Sequence, residues 1–158
     1  MKILDVGCGL GFLSCVTAEF YRKARVTGID TFEHRSLKGS SLERARENAR
    51  VLGFSDRIEF ERGDVFTFTP NESFDIFISN LVYHNLGRRR FEAYSRLSSW
   101  AQAGSFVLMG ELFFSPKADL TRLSKQFRIL KEIKPKTGVR AYTLLVMSKG
   151  SRSSPELI

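Results

Sequence analysis

Cysteine is scarce in this chain: Cys8 and Cys15 are the only two, seven residues apart. That spacing is neither a CxxC motif nor a disulfide framework. A reducing, cytoplasmic location is therefore expected. Histidine is equally rare. Cys8, His34 and His84 show no metal-ligand spacing, and no metal is expected. No apolar run approaches the ~20 residues of a membrane helix. The longest, Phe74–Ser79 and Phe106–Gly110, have strand length, so no membrane span is expected. Met1 leads directly into the strand-like Lys2–Val6, so no signal peptide is expected. Repeats, linkers and low-complexity segments are lacking before residue 151. Polar Ser151–Ile158 is expected to fray.

What remains is the composition of one globular domain, residues 1–150. The chain has 158 residues, 42% hydrophobic and 27% charged, too apolar for a disordered chain and too short for two cores. Its charge of +8 is unevenly placed. Residues 1–80 carry 11 Lys+Arg and 12 Asp+Glu, and residues 81–158 carry 14 and 5. The basic half could face an anionic partner such as RNA. However, no exposed aromatics interleave with the cations, and solvated helix faces are the simpler reading.

Strand and helix patterns alternate, predicting a mostly parallel sheet with helices on both faces. Ile3–Val6 reads as a buried strand. A helix follows with Leu13, Val16, Phe20 and Ala24 as its stripe. Arg25–Asp30 is a second strand. Ser40 and Glu43 suggest a capping box opening a helix to Leu52. Arg57–Arg62 alternates as a sheet edge does. Phe74–Ser79 is apolar like a central strand, Arg88–Ala103 is amphipathic, and Ser105–Met109 is strand-like. Ser115-Pro116 opens a further helix burying Leu120, Leu123 and Phe127. Ile129–Ile133 and Ala141–Ser148 are joined by a turn around Pro135–Gly138 and should pair antiparallel.

Chemistry concentrates at strand ends. Asp5-Val6-Gly7-Cys8-Gly9-Leu10-Gly11 lies between the first strand and first helix, where a glycine loop forms a nucleotide-cofactor site in doubly wound sheets. A dinucleotide fingerprint starting at Gly7 needs a third glycine at position 12, which is Phe12. That argues against an NAD-dependent oxidoreductase. Asp30 ends the second strand 19 residues after Gly11, placed to accept hydrogen bonds from a ribose diol. Gly63-Asp64 ends the edge strand. Phe74-Asp75-Ile76-Phe77-Ile78-Ser79-Asn80-Leu81-Val82-Tyr83-His84-Asn85 carries Asn80 to the carboxyl end of the central strand.

These four motifs, in this order, resemble those of class I S-adenosylmethionine-dependent methyltransferases. The last is similar to the FDVVVSNLVLHHL pattern of the ubiquinone and menaquinone C-methyltransferases. The resemblance runs from Ile3 to about Lys149. It implies a three-layer Rossmann-like fold with seven strands in the order 3-2-1-4-5-7-6, strand 7 antiparallel. The implied cofactor is S-adenosyl-L-methionine, leaving as S-adenosyl-L-homocysteine. The implied cofactor-binding residues are Asp5, Gly7, Cys8, Gly9, Gly11, Asp30, Thr31, Gly63, Asp64, Val65 and Asn80. Asp64 would meet the adenine amino group, and Val65 would lie against the ring. For a hydroxyl or acidic-carbon acceptor, His84 is the candidate base, since histidine titrates near neutrality; a bond to a backbone carbonyl is its structural alternative. Asn80 is the second catalytic candidate. Phe12, Phe32 and Tyr83 are candidates to shield a sulfonium, with core or adenine packing the more expected role for some of them.

Two departures stand out. Thr31–Ser40 is longer than the usual link, and Met1 abuts a strand that a covering helix usually precedes in the family. A partner subunit, in a homo- or hetero-oligomer, is one possible source of a lid. Asn80-Leu81-Val82-Tyr83 also lacks the Asn-Pro-Pro-Tyr pattern of amino-methylating nucleic-acid enzymes. The expected activity is methyl transfer to a small or medium-sized acceptor, its target atom C, N, O or S left open. An RNA or protein methyltransferase is the alternative, favoured by Arg88-Arg89-Arg90 and the basic half. A non-catalytic cofactor-binding subunit that activates a partner is the other.

Overall fold

The computed structural model describes residues 1–33, 39–136 and 142–150. The elements are β1 (Lys2–Val6), α1 (Phe12–Phe20), β2 (Arg25–Asp30), α2 (Leu42–Val51), β3 (Ile58–Arg62), β4 (Ile76–Asn80), α3 (Arg90–Trp100), β5 (Phe106–Leu112), α4 (Pro116–Ser124), β6 (Arg128–Ile133) and β7 (Tyr142–Ser148). A 3-10 segment, Tyr83–Arg89, joins β4 to α3. The strands form one sheet in the order β3-β2-β1-β4-β5-β7-β6. β7 runs antiparallel to both of its neighbours, and the other pairings are parallel. This is the expected topology, with β3 at an edge.

β1 is central because Ile3, Leu4, Asp5 and Val6 are all buried, the signature of a strand covered on both faces. Two cores flank it. Leu4, Val6, Phe77, Val107 and Met109 pack with Tyr94 and Leu97 of α3 and Leu123 of α4. Ile3, Val26, Ile58 and Phe60 pack with Cys15 and Ala18 of α1 and Ala45 and Ala49 of α2. Layered this way, the carboxyl ends of β1, β2 and β4 open together on one edge of the sheet, where ligands bind in open α/β sheets.

Three local expectations change. α1 buries Ser14, Cys15, Thr17 and Ala18, whereas Val16 and Phe20 are exposed. Small side chains let this helix sit close on the sheet, so its bulky stripe turns outward. The α2 cap is Ser41, whose hydroxyl accepts from the Arg44 N–H at 3.2 Å; the helix starts one residue later than the Ser40–Glu43 box requires. Within Arg88–Ala103 the α-helix itself is Arg90–Trp100, and Gly87, at φ 56° and ψ −131°, kinks the 3-10 segment just before it. The Pro135–Gly138 turn is only partly described, and Ala141 and Ser151–Ile158 lie outside the described residues.

The front of α3 is locked by a buried ion pair. Asp119, 1% exposed, accepts from Arg90 Nε at 2.6 Å and from the Tyr94 hydroxyl at 3.1 Å. Two members of the arginine triplet are engaged within the fold. Arg90 serves this pair, and Arg89 lies over the Phe66 ring at 3.6 Å.

Candidate active site

The loop after β1 turns through Gly7, Gly9 and Gly11, all with left-handed φ. A Cβ on Gly7 would meet Val82 Cγ2 at 2.3 Å, so no larger residue fits between this loop and the one after β4. The loop is lashed to the end of β2. Gly7 and Cys8 N–H donate to Ile29 O at 2.8 and 3.1 Å. Gly9 N–H donates to Asp30 Oδ2 at 2.9 Å. Asp30 Oδ1 accepts from Phe32 N–H at 2.7 Å, and Phe32 itself has a left-handed φ of 58°. Asp30 thus braces both loops, and it is buried, not at the surface.

Asp5 sits beneath the loop, 1% exposed, and accepts from Ser14 Oγ at 2.6 Å. Burial first, and the nearby Asp30 charge second, push its pKa from 3.8 to about 7, against the opposing Ser14 bond. Burial likewise pushes the Cys8 thiol up. Cys8 is therefore a packed, unreactive thiol.

Across the loop, Asn80 ends β4 and its Oδ1 accepts from the Tyr142 hydroxyl at 2.9 Å. Gly110, the β5 partner of Asn80, makes room for that bond. A Cβ there would meet the Tyr142 oxygen at 2.1 Å and Asn80 Oδ1 at 2.5 Å. Next comes Leu81, held at φ 59°, an unfavourable conformation for a leucine.

Then comes His84, whose Nδ1 is hydrogen-bonded to Glu111 Oε1. Glu111 is 1% exposed. Its Oε2 accepts from the Val82 and Tyr83 N–H groups at 3.0 and 2.6 Å, and Oε1 also accepts from Leu112 N–H at 2.7 Å. An ionised carboxylate only accepts, so the His84 proton belongs on Nδ1 and Nε2 is left as the basic nitrogen. His84 is thus bonded to a carboxylate and not to a backbone carbonyl.

Asp5, Gly7, Cys8, Gly9, Asp30, Asn80 and His84 line one cavity of about 490 Å³. Leu10, Phe12, Ser40, Leu81, Val82 and Leu112 join them. Of the other expected site residues, Gly11 turns inward to bond Cys8 O. Thr31, Gly63, Asp64 and Val65 follow β2 and β3 along the same sheet edge without lining this cavity. Thr31 O accepts from Arg62, Asp64 closes its own turn through Phe66 N–H, and Val65 is core. Phe12 is at the cavity as expected. Phe32 and Tyr83 are instead buried in the two cores, Tyr83 against Tyr94 at 5.2 Å.

Glu111 and Tyr142 were missed from sequence. Only Glu111 carried a signal: a carboxylate in an otherwise apolar strand must be paired. A larger groove of about 1000 Å³ runs beside α2 and β3, but its lining mixes Arg46, Arg50 and Arg57 with Glu43, Glu47 and Glu59 and includes no motif residue. Among the described residues, no three His, Cys, Asp or Glu group as a metal site would, and no helix is long and apolar enough to cross a membrane.

Comparison with known proteins agrees with this geometry. Residues 1–132 match the family model described as a methyltransferase domain. The tRNA1(Val) (adenine(37)-N6)-methyltransferase of Vibrio campbellii is 32% identical over 88 residues, covering 56% of this chain and 34% of that protein. The chain thus spans about a third of the curated relatives it matches. Among solved structures, the mitomycin 7-O-methyltransferase MmcR superposes with a TM-score of 0.77 at 18% identity, over 94% of this chain and 49% of that one. The N-methyltransferase NodS of Bradyrhizobium japonicum WM9, in complex with S-adenosyl-L-homocysteine, superposes with a TM-score of 0.75 at 15% identity, over 94% and 77%.

Proposed function

The chain belongs to the methyltransferase-domain family, as a class I S-adenosylmethionine-dependent methyltransferase, and on that premise we propose that it methylates a hydroxyl oxygen of a small or medium-sized acceptor. The observation that carries this reading is the His84–Glu111 pair at the cavity wall. A sulfonium methyl is already activated, so a hydroxyl acceptor needs only alignment and a base to take its proton. Glu111 holds Nδ1–H, orients the ring and stabilises the imidazolium that forms. Nε2 receives the proton.

The cavity suits the cofactor. Its volume falls in the ordinary range for small-molecule sites. Its described lining has Asp5 and Asp30 and neither lysine nor arginine, which favours a cation over a pyrophosphate. We assign the Gly7–Gly11 loop, Asp30 and Asn80 to hold it, with Asp64 and Val65 as the adenine-side candidates. When bound, S-adenosylmethionine supplies the electrophilic methyl group. Asn80 Oδ1 is engaged by Tyr142, so the amide offers its N–H groups to the cavity. A donor there, beside an acceptor on His84, matches a hydroxyl oxygen better than an amino group.

The second reading is methylation of an RNA base, supported by the similarity to the tRNA adenine-N6 methyltransferase of Vibrio campbellii. Against it stand Leu81 and Val82 in place of two prolines, and a Tyr83 ring that is fully buried. A transfer assay with labelled S-adenosylmethionine, offering a panel of small hydroxyl compounds and unmodified tRNA, tests both. The expected result is label in a hydroxyl compound, with kcat falling by about 10²–10⁴ in His84→Gln. Label at adenine N6 of tRNA, undiminished in His84→Gln, would refute the proposal.

A further inference from the structure

Around the mouth of the His84 cavity, large apolar side chains stand in water. Phe12 is 78% exposed, Leu81 41% and Phe114 72%. Phe12 and Leu81 line the cavity together with Leu10, Val82 and Leu112. Phe114 meets the His84 ring edge-on, with centroids 6.1 Å apart. Scattered apolar residues on a surface need no explanation, but apolar side chains gathered at the mouth of a cleft mark a binding site. Leu81 adds a second, independent observation. It holds a left-handed φ of 59° that glycine or asparagine would adopt at little cost. An apolar side chain is kept at that point against its own backbone preference, and strain of this kind gathers at ligand sites.

From this rim we infer that the acceptor is a neutral aromatic compound carrying a ring hydroxyl, its ring held between Phe12, Leu81 and Phe114 and its hydroxyl at His84. The inference rests on the reading of His84 as the base and narrows it. The cavity's described lining holds no Lys or Arg, so a carboxylate or phosphate on the acceptor would find no ion-pair partner there and would face Asp5 and Asp30. Flat rings match an aromatic rim, where stacked or edge-on pairs add attraction beyond area burial. The chemistry agrees. A phenolic hydroxyl ionises near pH 10, while water, the nearest simple model for an aliphatic hydroxyl, ionises near 15.7. A single imidazole therefore deprotonates the phenol far more readily. In the reaction, an oxygen lone pair forms the O–CH3 bond as the methyl–sulfur bond breaks, the sulfur keeps that bond's electrons as a thioether, and the hydroxyl proton passes to His84 Nε2 and on to water.

The test uses 2-naphthol as probe, with cyclohexanol and adenosine as controls, titrated calorimetrically into the protein saturated with S-adenosylhomocysteine. The expected result is that 2-naphthol binds at least tenfold more tightly than either control. Phe114→Ala should weaken 2-naphthol by about tenfold, with S-adenosylhomocysteine affinity unchanged. Leu81→Gly relieves the backbone strain while removing the side chain. It should therefore weaken 2-naphthol with no fall in Tm, a combination that a merely structural role for Leu81 would not produce. Binding of 2-naphthol within twofold of wild type in both variants, or adenosine or cyclohexanol binding as tightly as 2-naphthol, would overturn the inference. The underlying reading fails differently. If 2-naphthol binds as stated but its methylation is undiminished in His84→Gln, the base assignment is wrong and the rim stands.

Discussion

Replacing Glu111 by glutamine changes one oxygen to an NH2 group in a place that serves four donors. Oε2 takes the Val82 and Tyr83 N–H groups, and Oε1 takes Leu112 N–H and the His84 ring. However the amide turns, its NH2 replaces an acceptor that served two of the four. Hydrogen bonds to a charged group contribute about 1.5–3 kcal/mol each, so losing two in Glu111→Gln should cost roughly 3–6 kcal/mol. Set against a typical domain stability of about 5–15 kcal/mol, the variant folds but melts early, and it should be studied in the cold.

The least costly arrangement keeps oxygen toward Val82 and Tyr83 and turns NH2 toward His84. The ring then accepts on Nδ1 and carries its proton on Nε2, losing the base. Nitrogen NMR of the imidazole reads this without any acceptor. The chain has only two histidines, and His34→Asn identifies the other. Wild type should show the Nδ1–H tautomer and Glu111→Gln the Nε2–H tautomer, with kcat on a methylated acceptor lower by about 10²–10⁴. An Nε2–H tautomer in wild type, or a variant unchanged in both tautomer and Tm, would refute the reasoning.

Asp5 predicts a pH effect. Its folded pKa of about 7 exceeds the ordinary 3.8, so the folded state holds a proton that the unfolded chain releases. Its stabilising contribution is present below about pH 4 and is lost as pH rises to 7, by up to about 4 kcal/mol. Urea unfolding at pH 5 and 8 should show about 3 kcal/mol of that fall in wild type and a flatter response in Asp5→Asn; parallel responses would remove the assignment. Asp30→Ala should weaken S-adenosylhomocysteine by at least ~10-fold, about 1.4 kcal/mol, and should also destabilise the apo chain by about 2–4 kcal/mol, because Gly9 and Phe32 N–H lose their acceptor. Asp30→Asn should lose less of both, and an unchanged Tm in the alanine variant would contradict the bracing role. Asp119→Asn leaves the mostly buried Arg90 poorly matched, a loss of about 3 kcal/mol that lowers Tm by roughly 6–12 °C; calorimetry showing less than 2 °C would rule it out.

Much of this protein was legible in the sequence because the relevant constraints are local. Apolar runs bounded by glycines and charges marked the strands, and alternation at Ile58 and Phe60 marked the edge. Asp5, Gly7, Gly9 and Asp30 were found through chain-adjacent chemistry: strand end, turn, helix start. Local pattern misled at α1, where apolar residues occur all round the helix and periodicity could not say which face would lie down. Close packing chose Cys15 and Ala18, leaving Phe12 and Phe20 in water. The pairing of His84 with Glu111 lay beyond any local rule. His84 and Glu111 are 27 residues apart, and Asn80 and Tyr142 are 62 apart. They meet because β4 pairs with β5 in a register that sets Asn80 beside Gly110, and β7 returns antiparallel to set Tyr142 beside Leu112. Side-chain chemistry is written along the chain, but which nitrogen of His84 keeps its proton is decided by a carboxylate that only the sheet brings to it.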